Sequence, residues 1–511
     1  MKNYYFNQDH EMFRQGLRDF LQREVTPFID KWEEDQRIPK ELWKKFGEMG
    51  YLGLNYSAEY SGEGVDFWYS VIFCEEVAKV WSGGFAVTPL VIQYMSTPYL
   101  YKHGSEALKK KYLIPTIKGE LVSCIGITEP GAGSDVQNIK TRAVREGDYY
   151  IVNGSKTFIT NAVYGDYIVA VVKTDPGKGF EGVSLLVIDR NAPGVSAKKL
   201  KKLGWHASDT AELFFDNVKV PAENLVGEEG QGFIYLMGGL QLERLTGAIS
   251  AIAGCENAID YTLQYMSERN AFGRPINKFQ VLRHRMAQLA SEVECTKHFV
   301  YHCCRLHNDG EYAVKESSMA KLLATELSDK VAYQCLQNFG GYGYMEEFKL
   351  ARMFRDSRIL TIGGGSSEIM REIIAKMIID DKQYENKGLT FNYTQTNEEP
   401  KATTAQPQAQ PATSSFDTLV SEFSARAGKA PVLGTTLKFN FGDKQIFVDG
   451  TGATNVVSTD NKEANCTIEI TLDDLKAIIA GSLNPMNAFM SGKIKVKGDM
   501  SVAMKLQSLF K

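Results

Sequence analysis

The hydrophobic period of this chain changes twice, and that limits what it can fold into. Up to about residue 120 apolar residues recur at helical spacing. Pro39 suits the first position of a helix over Lys40–Met49, with Gly50 at its end. Tyr69–Val80 reads as another amphipathic run, and Phe85–Tyr101 is apolar and rich in small residues. From about 121 to 225 the period becomes that of strands. Asp166–Val172, Gly182–Ile188 and Ala211–Phe215 are β-branched or aromatic and bounded by Gly, Pro and Asp. From about 230 to 385 long helical patterns return. A β-domain inserted between helical blocks is the expectation.

Two stretches inside the β-region could hold a ligand. Thr128-Glu129-Pro130-Gly131-Ala132-Gly133-Ser134-Asp135 reads as a tight loop whose glycines allow backbone angles closed to other residues. Asn153-Gly154 is the strongest two-residue hairpin signal, flanked by Tyr149–Val152 and Lys156–Thr160. The hairpin would end in Phe158, Thr160 and Asn161, a ring and polar groups on which a flat, polar-edged cofactor could stack; a glycine-rich surface turn beside an ordinary hairpin is the competing account. No Gly-x-Gly-x-x-Gly lies between a strand and a helix, so a dinucleotide fold is not expected.

In the helix after residue 230, Phe233, Leu236, Leu240, Glu243, Gly247, Ala251, Gly254 and Ala258 share one face, and Leu242, Leu245, Ile249 and Ile252 make much of the remainder apolar. Glu243 is the one carboxylate on that face. Buried, it must be paired, with Arg244 or another arginine, or have a raised pKa that suits a catalytic base. Further on, Gly363-Gly364-Gly365 precede Ser366-Ser367-Glu368, the start of a helix with a Ser cap and free N–H groups.

The 511 residues allow three or four domains. A net charge of −4 with both signs interspersed argues against a nucleic-acid footprint. The apolar run from Gly83 to Leu100 is broken by Pro89 and Pro98, so no membrane span is expected. The eight cysteines form no Cys-x-x-Cys pair and suit a reducing compartment. His298, His302 and His307 near Cys303-Cys304 read as a wet helix face without a second spaced cysteine, and no metal is expected. MKNYYFNQDHEMF has no signal-peptide core, and the chain ends Leu-Phe-Lys rather than Ser-Lys-Leu; a bacterial cytoplasm is expected, with a mitochondrial matrix the alternative.

From about Tyr384 to Ser415 the composition changes; NEEPKATTAQPQAQPATSS within it is poor in large apolar residues, and the segment reads as a disordered linker. About 26 such residues span roughly 28 Å root-mean-square. Beyond it Leu437, Phe439 and Phe441 alternate with polar residues, as do Ile494 and Val496. Thr471-Leu472-Asp473-Asp474-Leu475 opens a helix, and Met500 to Phe510 reads as another.

The stretch from Ile125 to Ala162 closely resembles the flavin-binding signature of acyl-CoA dehydrogenases, and the similarity extends over roughly the first 385 residues. The end of the chain, NPMNAFMSGKIKVKGDMSVAMKLQSLF, resembles a sterol carrier protein type 2 domain. The implied fold class is multidomain α+β: residues 1–120 an N-terminal helical domain, 121–230 a middle β-domain, 231–385 a C-terminal helical domain, 386–415 a linker and 416–511 a small lipid-binding unit. The implied cofactor is FAD. By the resemblance Thr128 and Thr160 bind the isoalloxazine edge, Phe158 packs on the ring, and Ser134 lies between flavin and CoA. Arg269, Phe272 and Gln280 serve the FAD of a partner subunit. Gln337 and Gly341 belong to the adenine and pyrophosphate side, and Ser366 and Glu368 also contact the cofactor. Arg244, Gly364 and Gly365 join Ser134 on the substrate, and Phe85–Tyr101 helps wall the acyl pocket.

Most of that family carries its catalytic glutamate at the position held here by Gly364. The long-chain and isovaleryl-type members share the glycine and supply the base from the earlier helix, here Glu243. The implied reaction is α,β-dehydrogenation of a fatty acyl-CoA, long-chain or branched, with the Gly364 N–H and a flavin ribityl hydroxyl holding the thioester carbonyl. Electrons would pass to an electron-transfer flavoprotein, and a homodimer or tetramer would be the working unit. The alternatives are an acyl-CoA oxidase on the same scaffold and a lipid carrier with a silent flavin domain.

Overall fold

The computed structural model describes residues 4–380, 416–428, 430–442, 444–479 and 494–498. The linker and the final helix expected from Met500 lie outside the described residues, as does most of the terminal stretch that carried the second resemblance.

The chain forms two compact units, Met1–Asp309 with Ala313–Glu372, and Gly310–Tyr312 with Ile373–Lys511. In the first, helices α1 (Gln8–Glu24), α2 (Ile29–Asp35), α3 (Glu41–Glu48), α4 (Phe67–Ala78), α5 (Gly83–Leu90), α6 (Thr97–His103), α7 (Glu106–Leu108) and α8 (Ile114–Ile117) precede the sheet. Asn7 caps α1: its side chain accepts from the His10 N–H while the His10 ring accepts from the Asn7 N–H. A π-helical segment, Val91–Ser96, joins α5 to α6. Pro89 lies inside α5, and Pro98 sits in the first turn of α6, where its missing N–H costs nothing. The expected amphipathic run in α4 is instead buried along nearly its whole length, because later helices cover the face that sequence alone leaves to water.

The middle block has strands β1 (Ser123–Gly126), β2 (Arg142–Glu146), β3 (Tyr149–Thr160), β4 (Tyr167–Lys173), β5 (Val183–Asp189), β6 (Val195–Lys199) and β7 (Thr210–Pro221). Their order is β1-β4-β2-β3-β7-β6, with β5 paired to β4. The Asn153-Gly154 turn does not form. β3 continues through it, with a register shift against β7 between Val152 and Gly154, and the hairpin turn is Gly147-Asp148, between β2 and β3. Asn153 exchanges hydrogen bonds with Asn217 on β7. A Cβ at Gly154 would lie 2.6 Å from the Thr141 hydroxyl, so the glycine serves close backbone approach rather than a turn.

After the sheet come α9 (Gly232–Glu268), the short strands β8 (Asn270–Ala271) and β9 (Arg274–Pro275), and helices α10 (Gln280–Asn308), α11 (Val314–Phe339), α12 (Lys349–Ser357) and α13 (Ser367–Ala375). One apolar core runs through both helical blocks, from Leu17 and Phe46 to Ile252, Val300 and Leu350. Helix α9 lies within it, against α11, α10 and α4.

The second unit contains α14 (Phe416–Ala427), strands β10 (Thr436–Asn440), β11 (Gln445–Asp449), β12 (Val456–Ser458) and β13 (Cys466–Glu469), helix α15 (Leu472–Ile479) and strand β14 (Lys495–Gly498). The sheet order is β12-β11-β10-β13-β14. Leu437, Phe439, Ile468 and Val496 point into one core with Phe423 of α14. The Thr471 hydroxyl caps α15 by accepting from the Asp474 N–H.

Candidate active site

The loop from Thr128 is held by a buried charge pair. Lys156, fully buried on β3, donates to Glu129 Oε1 at 2.7 Å and to the Ile127 carbonyl at 3.1 Å. Glu129 also accepts from the Lys140 and Thr141 N–H groups. Burial opposes its charge, but these donors outweigh it and hold its pKa below the usual carboxylate value. The Thr157 N–H donates to the Thr128 carbonyl at 2.8 Å and ties the loop to β3. Gly131 and Gly133 do not take positive φ, contrary to the expectation. The loop is shaped by the Glu129 anchor and a Glu129–Ala132 bridge.

Just beyond the tie, β3 has a bulge. The register with β7 shifts between Lys156 and Ile159, and Phe158 takes φ +62. Bulges of this kind re-aim a side chain. Here a phenylalanine on the strand is 69 % exposed. Thr160 follows, half-buried, and the buried Asn161 amide donates to the Thr88 and Ser123 carbonyls. An exposed ring next to a threonine, on a backbone pinned by Lys156 and Glu129, fits a flat cofactor with polar edges. Ser134 is exposed on the loop.

Glu243 projects from α9 and is buried at 9 % exposure. The Tyr99 hydroxyl donates to its Oε1 at 3.2 Å. Burial pushes its pKa up to about 7; the Tyr99 hydrogen bond and the neighbouring Arg244 charge pull the other way and do not win. Buried Arg244 also acts on Lys321 of α11, whose pKa falls to about 8 through burial and that like charge. Lys321 donates to the Gly365 carbonyl at 2.6 Å. Lys321 of α11 is thus bonded to the glycine loop and lies within the field of Arg244 on α9. Gly364 takes φ +66, and a Cβ there would meet nothing within 4 Å. Ser366 caps α13, accepting from the Ile369 N–H at 3.4 Å, and Glu368 is exposed in its first turn.

A third group gathers at the far end of α9. Phe272-Gly273 is the turn of the β8–β9 hairpin, with φ +52 and +76, and it carries the Phe272 ring at 96 % exposure. The Arg269 guanidinium lies 5.6 Å from the Tyr342 ring centroid. Tyr265 stacks on Phe339 at 3.9 Å, joining the ends of α9 and α11. Gln280, Gln337 and Gly341 are exposed there. Apart from this group, in the last turn of α10, His307 packs edge-on against Phe67, and burial brings its pKa down to about 4.

Sequence reasoning missed Tyr99, Lys321 and the Lys156–Glu129 pair. A lysine in the inward register of a strand, with a glutamate in the preceding loop, was a usable signal for the last.

Residues 7–120, 124–218 and 230–379 match the N-terminal, middle and C-terminal domain models of acyl-CoA dehydrogenase. The chain belongs to the acyl-CoA dehydrogenase family. Residues 416–511 match the SCP-2 sterol transfer family. The long-chain specific acyl-CoA dehydrogenase of Rattus norvegicus mitochondria is 39 % identical over 381 residues, covering 74 % of this chain and 88 % of that one. An acyl-CoA dehydrogenase structure from Geobacillus kaustophilus is 45 % identical, with a TM-score of 0.72, covering 74 % of this chain and all of that one. A glutaryl-CoA dehydrogenase from Mycobacterium smegmatis, solved in complex with FADH2, is 26 % identical with a TM-score of 0.70, covering 75 % and 97 %. This acyl-CoA dehydrogenase chain is an oxidoreductase with a sterol-carrier-type unit at its C-terminal end.

Proposed function

We propose that the chain catalyses FAD-dependent α,β-dehydrogenation of a long-chain or branched fatty acyl-CoA to the trans-2-enoyl-CoA, with Glu243 as the base. The observation that carries this is a buried carboxylate with a pKa near 7 on α9, whose neighbour Arg244 acts on the same Lys321 that holds a glycine loop with open space at Gly364. A general base works best with a pKa near the working pH. The α-hydrogen is acidic only because the thioester carbonyl can take up charge. The Gly364 N–H serves as a donor to that oxygen, worth about 3 kcal/mol at the transition state.

FAD, when bound, supplies the acceptor for the β-hydride. Phe158 packs on its ring, Thr128 and Thr160 satisfy its polar edge, and Ser134 borders the CoA end. Gly247 and Gly254 leave open space on the Glu243 face of α9, along about 16 Å of helix. That favours an extended acyl chain. Arg269, Phe272, Gln280, Gln337 and Gly341 serve the FAD of a second copy, with Ser366 and Glu368 also placed on the cofactor. A phenylalanine almost wholly in water at a hairpin tip is the feature that favours a homodimer as the minimum unit. An electron-transfer flavoprotein is the proposed acceptor and a reducing, cytoplasm-like compartment the setting; the cysteines are all free. Among the described residues no helix is long and apolar enough to cross a membrane.

The sterol-carrier-type unit binds long acyl-CoA or a similar lipid and raises its concentration at the flavin site. A flexible tether gives millimolar effective concentrations when its span matches. The test of the core reading is anaerobic flavin bleaching by a panel of acyl-CoAs. Bleaching by long or branched chains is expected; a yellow protein that no acyl-CoA bleaches would overturn it.

A further inference from the structure

Glu243 reaches its hydrogen-bond partner through an arrangement that neither residue could make alone. Tyr99 leaves α6, 2 % exposed, and its phenol lies across α9. Its hydroxyl occupies the space above Gly239, one turn before Glu243. A Cβ built on Gly239 would be 2.2 Å from the Tyr99 oxygen and 2.5 Å from the ring carbon that bears it. Any side chain at 239 would therefore displace the phenol. Gly239 has no positive φ and sits inside a helix, where glycine is less favourable than alanine. Its bare backbone is explained by the ring above it. The approach on the other side is set by the π-helical segment Val91–Ser96, followed by Pro98 in the first turn of α6. Such segments interrupt the regular helix and turn the residues that follow.

We infer that Tyr99 is a positioning residue for the base, with Gly239 as its seat: the phenol donates to Glu243 and favours the charged form of its carboxylate. This rests on the reading of Glu243 as the base. The charged and titratable groups acting on Glu243 are the Tyr99 hydroxyl from α6 and Arg244 on its own helix. From α11, Lys321 faces Arg244; Glu326 on the same helix and Glu368 of α13 also act on Lys321, and the Gly365 carbonyl accepts from it. Donation by Tyr99 favours the charged carboxylate and so opposes burial. Without it the base stays protonated to higher pH. Once deprotonated it would still be competent, and somewhat stronger. A loss confined to low pH therefore separates this role from a merely structural one, which would slow the reaction at every pH.

The experiment is stopped-flow anaerobic flavin reduction of the holoenzyme by hexadecanoyl-CoA from pH 5.5 to 9.5, with isovaleryl-CoA as the branched probe. Tyr99→Phe removes the donor and keeps the ring. Gly239→Ala keeps the phenol and pushes it off its seat. Both variants are expected to move the acid limb of kcat/KM upward by about half to one pH unit. At pH 6 that is a loss of about three- to tenfold, shrinking as pH rises. Glu243→Gln is run beside them. If it loses reduction while the two variants leave the limb in place, or lose the same factor at every pH, the role of Tyr99 is overturned and the base stands. If Glu243→Gln reduces flavin normally, the base itself is wrong and the inference falls with it.

Discussion

Replacing Glu243 by glutamine tests the site through stability as well as through rate. A carboxyl whose pKa rises from 4.5 unfolded to about 7 folded binds its proton more tightly in the native state. Between those values the native chain holds more protons than the unfolded one, so stability falls as pH rises. Below pH 4.5 the residue costs nothing; above pH 7 the full cost is present. A shift of about 2.5 units is worth roughly 3 kcal/mol at 1.36 kcal/mol per unit. Glutamine keeps the shape and an oxygen for the Tyr99 hydroxyl, and it carries no charge. Glu243→Gln is therefore expected to be more stable than the native chain by about 3 kcal/mol at pH 8 and by under about 1 kcal/mol at pH 5. The first unit has about 370 residues. Its unfolding entropy near 60 °C is then about 0.8 kcal/mol/K, so 3 kcal/mol is about 4 °C in Tm. Paired melts of the two holoenzymes at pH 5 and pH 8 measure this. The same variant should stay yellow, bind acyl-CoA and fail to bleach. An equal Tm difference at both pH values would refute the buried, late-titrating carboxylate, and normal bleaching would refute the base.

Lys156→Met should leave Glu129 buried and charged with only backbone donors, costing about 3–5 kcal/mol and loosening the Thr128–Asp135 loop; melting temperature and flavin content of the purified protein report both. Phe158→Ala removes an exposed ring, so the apoprotein should melt within about 0.5 kcal/mol of the native one while FAD retention falls. Unchanged retention would exclude Phe158 from the flavin face. Gly364→Ala should cost about 1 kcal/mol from its positive φ and slow flavin reduction, read by melts and stopped flow. Cutting the chain between residues 386 and 415 should lower turnover at low concentrations of a long acyl-CoA and leave it unchanged at saturation; identical rates throughout would remove the delivery role of the C-terminal unit.

The helix–sheet–helix order, the position of Glu243 on an apolar face and the glycine loop before α13 were all legible in the sequence. Each depends on local period or on residue type at one position. The periodicity of Phe233–Ala258 marks a buried face whatever packs on it, and burial alone is enough to raise a carboxyl. The sheet read less well. Asn153-Gly154 looked like a turn because two apolar runs flanked it, but pairing with β7 carries β3 through it, with a shift of register. Register is a contest between distant strands, and a two-residue signal cannot show which partner wins. The same holds for Phe158, whose exposure comes from a bulge against β7. In α4, tertiary packing covers the face that the sequence assigned to water.

Sequence alone determined the family of folds and set Glu243 on an apolar helix face and Gly364 in a glycine loop, because these follow from composition, spacing and the resemblance they carry. Only the tertiary structure decided what tunes and supports them. Tyr99 and Glu243 are 144 positions apart, and Lys156 and Glu129 are joined only because β3 passes beside the loop. Hydrogen bonds and desolvation depend on distances of a few ångströms, which the order of residues along a chain does not contain.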